Sequence, residues 1–192
     1  MRIWVLSFLM VAALCYGQGS HFGAQIPLQG EVLRNPVAMT KDGKSGGLRW
    51  TPDGRRMMLR SAGEGGGCPQ FYWVDPMTNE RKLASSGKGG VRSGFPIKFG
   101  KSWIFDSTHE ASEGTGCPAA TLGSVPIGFN IYAANAKGSE RLTNTSGFEG
   151  DLDVSLDEKR VVYSSSASGD MEIWTMDLDG LDKKQITRAP GY

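Results

Sequence analysis

LRWTPDGRRMMLRS at residues 48–61 and LDVSLDEKRVVYSS at residues 152–165 align without a gap. Each reads apolar, polar, apolar, then Thr51 or Ser155, a turn, two basic residues and a run of strand-forming residues. FPIKFGKSWIFDS at residues 95–107 is the same unit with a shorter turn. A second pattern follows each copy: FYWVDPMTNERKLAS (71–85), FNIYAANAKGSERLTN (129–144) and MEIWTMDLDGLDKKQITR (171–188). The first turn, Pro52-Asp53-Gly54, places Pro where φ is already fixed and Gly where φ must be positive. Asp179-Gly180 and Lys137-Gly138 do similar work later in their units. Leu156-Asp157-Glu158 departs from the pattern, so a looser turn is expected there.

Each unit therefore reads strand, tight turn, strand, loop, strand, tight turn, strand. Four short antiparallel strands per repeat is the blade of a β-propeller. Runs such as Met57-Met58-Leu59 and Val161-Val162-Tyr163 are continuously apolar, as for strands covered on both faces. Equivalent serines fall at Ser61, Ser107 and Ser165, and the longer second spacing places an insertion at residues 108–128. The expected fold is all-β: an incomplete propeller of about three blades (46–85, 93–144 and 150–188). One extra N-terminal strand at residues 32–39 precedes them.

The chain's 27 glycines suit a turn-rich all-β protein. Its 21 basic and 20 acidic residues leave a net charge of +1, which gives no electrostatic case for nucleic acid or an anionic membrane. Arg2 followed by an apolar run at residues 3–14 reads as a signal peptide. That run is short of the ~20 residues a membrane-spanning helix needs. Cys15-Tyr16-Gly17 supplies small residues for cleavage after Gly17, and Leu14 is not the small residue that a lipid-modified cysteine requires before it. The expectation is a signal at 1–17, a flexible segment at 18–31 and a secreted protein that does not span the membrane. Its destination is extracellular from a eukaryote or periplasmic from a Gram-negative bacterium.

The turn at residues 51–56, Ile131-Tyr132 with Gly138 and Arg141-Leu142-Thr143, and Ile173-Trp174-Thr175-Met176-Asp177 with Asp179-Gly180 and Gln185-Ile186-Thr187 resemble the PD-type repeats of TolB-like β-propellers. The resemblance covers residues 33–192. Ser107-Thr108-His109 ahead of a Cys-Pro insertion is similar to one bacterial-type subgroup. The family closes rings of six or seven blades, so three blades imply a truncated copy or rings completed by several chains. Exposed blade flanks imply a marginally stable or self-associating chain.

Strand alternation puts the loops at residues 62–70 and 108–128 on one face with the blade-to-blade connections, and the tight turns on the other. Cys68 and Cys117 lie in equivalent loops of adjacent blades, each followed by Pro, which favours a Cys68–Cys117 disulfide over thiols left by lost partners. His109, Glu110 and Glu113, near Asp106 and Cys117, form a weak metal-ligand cluster whose spacing matches no zinc motif. Asn144-Thr145-Ser146 is a glycosylation sequon. No nucleophile elbow or phosphate loop occurs. Glu149, Asp151 and Asp153 do not read as glycosidase carboxylates, because Asp151 and Asp153 alternate with Leu152 at the start of an inner strand and face the channel or water. No catalytic residue, metal or cofactor is expected. The expected function is an exported binding or scaffold module for a protein or small ligand, acting through the cysteine-loop face. The competing readings are the propeller of a prolyl-oligopeptidase-like serine hydrolase lacking its catalytic domain, and a non-functional copy.

Overall fold

The structure, a computed structural model, describes residues 38–41, 43–62, 67–111, 117 and 126–188. Twelve strands occur among them, in three four-stranded antiparallel sheets. Blade 1 holds β1 (Ser45–Trp50), β2 (Met57–Ser61), β3 (Gln70–Val74) and β4 (Arg81–Leu83). Blade 2 holds β5 (Val91–Ile97), β6 (Ser102–Ser107), β7 (Asn130–Asn135) and β8 (Gly138–Arg141). Blade 3 holds β9 (Glu149–Val154), β10 (Arg160–Ser165), β11 (Glu172–Asp177) and β12 (Lys184–Gln185). Within each sheet the strands lie side by side in chain order, as short hairpin connections dictate. The expected signal at 1–17, the segment at 18–31 and residues 32–37 of the extra strand lie outside the described residues. Ala38 and Met39 belong to no strand.

The repeat holds at the level of register. Met57 faces Val74, Trp103 faces Ala134 and Val161 faces Met176 across the second and third strands. Ser61, Ser107 and Ser165 occupy one position, paired with Gln70, Asn130 and Glu172, and all three are buried. Alternation then assigns each residue to one flank of its blade. Met58, Phe71 and Trp73 of blade 1 pack with Phe105, Tyr132 and Ala134 of blade 2. On its other flank, Ile97, Ile104, Ile131 and Leu142 of blade 2 pack with Leu152, Val161, Tyr163 and Met176 of blade 3. Blade 2 is therefore covered on both sides, and Ile104 and Ile131 are wholly buried. Burying such side chains contributes about 1.5–3 kcal/mol each.

Val162 differs from its sequence reading. It lies on the far flank of blade 3 with Ile173, and the two remain 39% and 38% exposed. Their equivalents Ile104 and Ile131 are covered because blade 3 lies against them.

The third turn also differs from expectation, because it is as tight as the first. Thr51 N donates to Arg56 O at 2.8 Å and Ser155 N to Arg160 O at 2.9 Å. The hydroxyls of Thr51 and Ser155 donate to Asp53 and Asp157 at 2.6 and 2.7 Å, and each accepts the N–H of Arg56 or Arg160. Those hydroxyl bonds hold the Asp53 and Asp157 carboxyls below the usual aspartate range. Gly54 (φ +69°) and Glu158 (φ +52°) occupy the same left-handed position, so the side-chain ladder holds the turn even without glycine. Asp179 and Gly180 close the β11–β12 hairpin: Gly180 (φ +79°) donates to Asp177 O at 3.0 Å, and Leu181 N donates to Asp179 at 3.2 Å. Leu156 is fully exposed at the site where the first turn has Pro52. Leu156→Pro is expected to raise stability by about 0.4–1 kcal/mol by restricting the unfolded chain. A urea titration giving a lower midpoint than the parent would contradict that.

Candidate binding face

The β2–β3 and β6–β7 loops and the β4–β5 and β8–β9 connections meet at one end of the blades, through a polar layer that repeats. Each third strand opens on a buried polar residue: Gln70, Asn130 or Glu172. Each receives a hydroxyl from beyond the fourth strand, Ser85 to Gln70 at 2.6 Å, Thr143 to Asn130 at 3.4 Å, and Thr187 to Glu172. The same hydroxyls accept the N–H of Phe71, Ile131 and Ile173 at 2.9–3.0 Å. This fixes where each fourth strand leaves its sheet. Sequence reading missed it, although a polar strand opener followed 13 or 15 residues later by Ser or Thr is visible in every unit.

A second layer fixes the entry to blades 2 and 3 and ties them to each other. Gly90 N donates to the Thr108 hydroxyl at 2.9 Å and Phe148 N to the Ser166 hydroxyl at 2.9 Å. Asp106 is the hub. Its wholly buried carboxylate accepts the N–H groups of Arg92 and Ser93 at 2.8 and 2.9 Å and the Ser93 hydroxyl at 2.6 Å. It also accepts Asp151 N of blade 3 at 3.2 Å. Gly150 admits this approach, because a Cβ there would lie 2.5 Å from the Asp106 carboxylate. Burial raises the Asp106 carboxyl above its ordinary range, against the lowering effect of these donors. Glu149 opens β9. It is buried and accepts the Ser165 hydroxyl at 3.1 Å, and burial raises its pKa. Asp151 and Asp153 remain exposed.

Cys68 and Cys117 form a disulfide, with Cα atoms 4.9 Å apart, that ties the β2–β3 loop of blade 1 to the β6–β7 loop of blade 2. Beside it lies a cleft of about 610 Å³, lined by Arg60, Pro69, Val91, Arg92, Phe129 and Cys117, among others. The Arg92 guanidinium lies over the Phe148 and Phe129 rings, 5.2 and 5.9 Å from their centres, and pairs with Asp151 at 3.0 Å. A cation held on two rings and a carboxylate gives this wall fixed polarity.

Of the weak metal-ligand candidates, His109 and Glu110 are described and Glu113 lies outside the described residues. Among the described residues no group of three His, Cys, Asp or Glu side chains converges. His109 instead packs on Tyr132, centroids 4.2 Å apart, and near Phe105, with its Nδ1 buried and unpartnered. Glu110 faces its Nε2 at 3.8 Å, accepts the Tyr132 hydroxyl at 3.4 Å and approaches Arg141 at 3.8 Å. Burial, opposed by Glu110 and aided by Arg141, pushes the imidazole below its ordinary 6.5. Burial and Glu110 push the Tyr132 phenol up to about 12. Asn144 is exposed between β8 and β9.

No protein-family model matches the chain, and no curated protein matches it. Solved structures do. A structure assigned to TolB from Agrobacterium tumefaciens matches 77% of this chain at TM-score 0.56 and 21% identity. TolB from Acinetobacter baumannii matches 78% at TM-score 0.57 and 24% identity. A puromycin-hydrolyzing peptidase of Mycobacterium tuberculosis matches 76% at TM-score 0.50 and 12% identity. The chain spans 47%, 34% and 23% of those chains. The described residues thus share the TolB-like propeller fold, which one of these matches places within an enzyme.

Two outcomes follow from the buried groups. Asp106→Ala strands three backbone N–H groups and is expected to cost about 3 kcal/mol or more, read by chemical denaturation. His109 has a lowered folded pKa, so its contribution to stability is complete above 6.5 and is lost as pH falls below that value. Asp106 and Glu149 carry the opposite sign: their contributions are complete below 3.8 and 4.5 and shrink as pH rises through their raised folded values. His109 is therefore expected to contribute a loss of melting temperature between pH 7 and pH 5, read as the difference between the parent's slope and that of His109→Phe. An unchanged slope in the variant would exclude His109 as its cause.

Proposed function

We propose that this chain is an exported, non-catalytic binding module that engages a protein partner through the face carrying the disulfide-linked loops. The observation that carries the reading is the Cys68–Cys117 bond beside the Arg92-lined cleft. A loop surface already fixed before binding loses less conformational freedom when a partner arrives. The bond closes a span of 49 residues, which stabilises by about 4 kcal/mol in the chain-entropy account. Export rests on the signal-like residues 1–17 and on a disulfide, a bond that oxidising compartments favour. N-terminal sequencing of the processed protein is expected to begin at Gln18. Asn144, exposed, would accept a glycan in a eukaryotic secretory route. The exposed apolar side chains Val162, Ile173 and Ile186 of blade 3 are the surface through which the chain would self-associate, read by sedimentation over a concentration series.

A photo-crosslinking residue at position 88, in the β4–β5 connection, tests the face directly against one at position 55 on the tight-turn side. The expected outcome is a discrete protein adduct from position 88, absent from position 55 and lost in the Cys68→Ser, Cys117→Ser double variant. Equal adducts from both positions, or a position-88 adduct indifferent to the disulfide, would overturn the reading. A cleft of this size also suits a small ligand. Absence of protein adducts together with ligand-induced quenching of tryptophan fluorescence would favour that occupant instead.

A further inference from the structure

A second groove, of about 600 Å³, opens between blades 1 and 2 at the opposite end, among the tight turns. Arg56, Lys82, Lys101 and Lys137 line it, and among the described residues no aspartate or glutamate does. The four cations come from four elements: the first turn, β4, the β5–β6 turn and the β7–β8 turn. None forms an ion pair among the described residues, whereas Arg160 and Lys184 on blade 3 do.

The repeat sharpens this contrast. Arg160 ends the third turn as Arg56 ends the first, and it donates to Asp177 at 2.6 Å and Asp182 at 2.8 Å. Blade 1 has Asp75 at the position of Asp177, but its carboxylate is spent on Met77 N and Thr78 N at 2.8 and 3.1 Å. Arg56 is left with the Gly100 carbonyl at 3.1 Å and the face of Trp73, 4.9 Å from its centre. Trp103, which meets Trp73 edge-on at 5.3 Å, also lines the groove.

The geometry points to this groove as a binding site for an acidic polypeptide segment. Cations distributed over four elements suit several carboxylates along a chain rather than one compact anion. The edge-on tryptophans, one already covered by Arg56, offer no parallel platform for stacking a sugar ring. The site is separate from the disulfide-bearing face, so a partner held there leaves this groove free.

The test is fluorescence anisotropy of fluorescein-labelled octaglutamate with the full chain. Saturable binding that weakens with added salt is expected. Lys101→Glu with Lys137→Glu is expected to weaken it roughly tenfold, while Lys159→Glu on the same face of blade 3 leaves it unchanged. If the double reversal does not fold, as judged by circular dichroism, Lys101→Gln with Lys137→Gln carries the same comparison with a smaller loss. No saturable binding, or equal loss from Lys159→Glu, overturns the proposal. So does tighter binding of a heparin octasaccharide or of phosphatidylserine vesicles that depends on Lys101 and Lys137, which would assign the groove to a different polyanion.

Discussion

Each blade is a thin sheet with apolar residues on both flanks, and neither flank can leave water without another blade against it. That constraint organises the molecule. Blade 2 meets it on both sides, which is why Ile104, Phe105, Ile131 and Tyr132 are almost fully buried. The residues of one interface alternate along the strands with those of the next, so a one-residue slip in any blade would exchange two cores at once.

Apolar packing alone would let the blades slide over one another. Directional polar contacts at one end remove that freedom. Asp106 gathers donors from its own blade and from Asp151 of the next. Leu152 N of blade 3 donates to the Ser93 hydroxyl of blade 2 beside it. The Cys68–Cys117 bond adds a covalent tie at the same end. These contacts and the disulfide hold the described strand ends together on the side from which the long loops depart. The tight-turn end carries a cationic groove, in which Arg56 lacks the carboxylate that its counterpart Arg160 meets because Asp75 is engaged by its own turn.

Much of this was legible in the chain. The aligned copies at residues 48–61 and 152–165 implied the blades, and the equivalent placing of Cys68 and Cys117 implied the disulfide. The polar layer of Gln70, Asn130 and Glu172 was present but obscure, because its partners lie a variable distance along the chain and only the strand register makes them equivalent. The tightness of the third turn was obscured by Glu158, since glycine is the residue that ordinarily reports a positive φ and here side-chain bonds impose it.

The sequence by itself determined the strand pattern, the turn chemistry and the number of repeats, because these follow from periodicities of two residues and from local backbone sterics. Tertiary structure decided which charges are paired. Arg56 and Arg160 look alike in their repeats, yet one meets two carboxylates and the other meets a tryptophan face. Tertiary structure likewise decided that Glu149 is buried and that Val162 is not. Ion pairing and burial depend on what a neighbouring blade brings within a few ångströms, and no local stretch of chain contains that information.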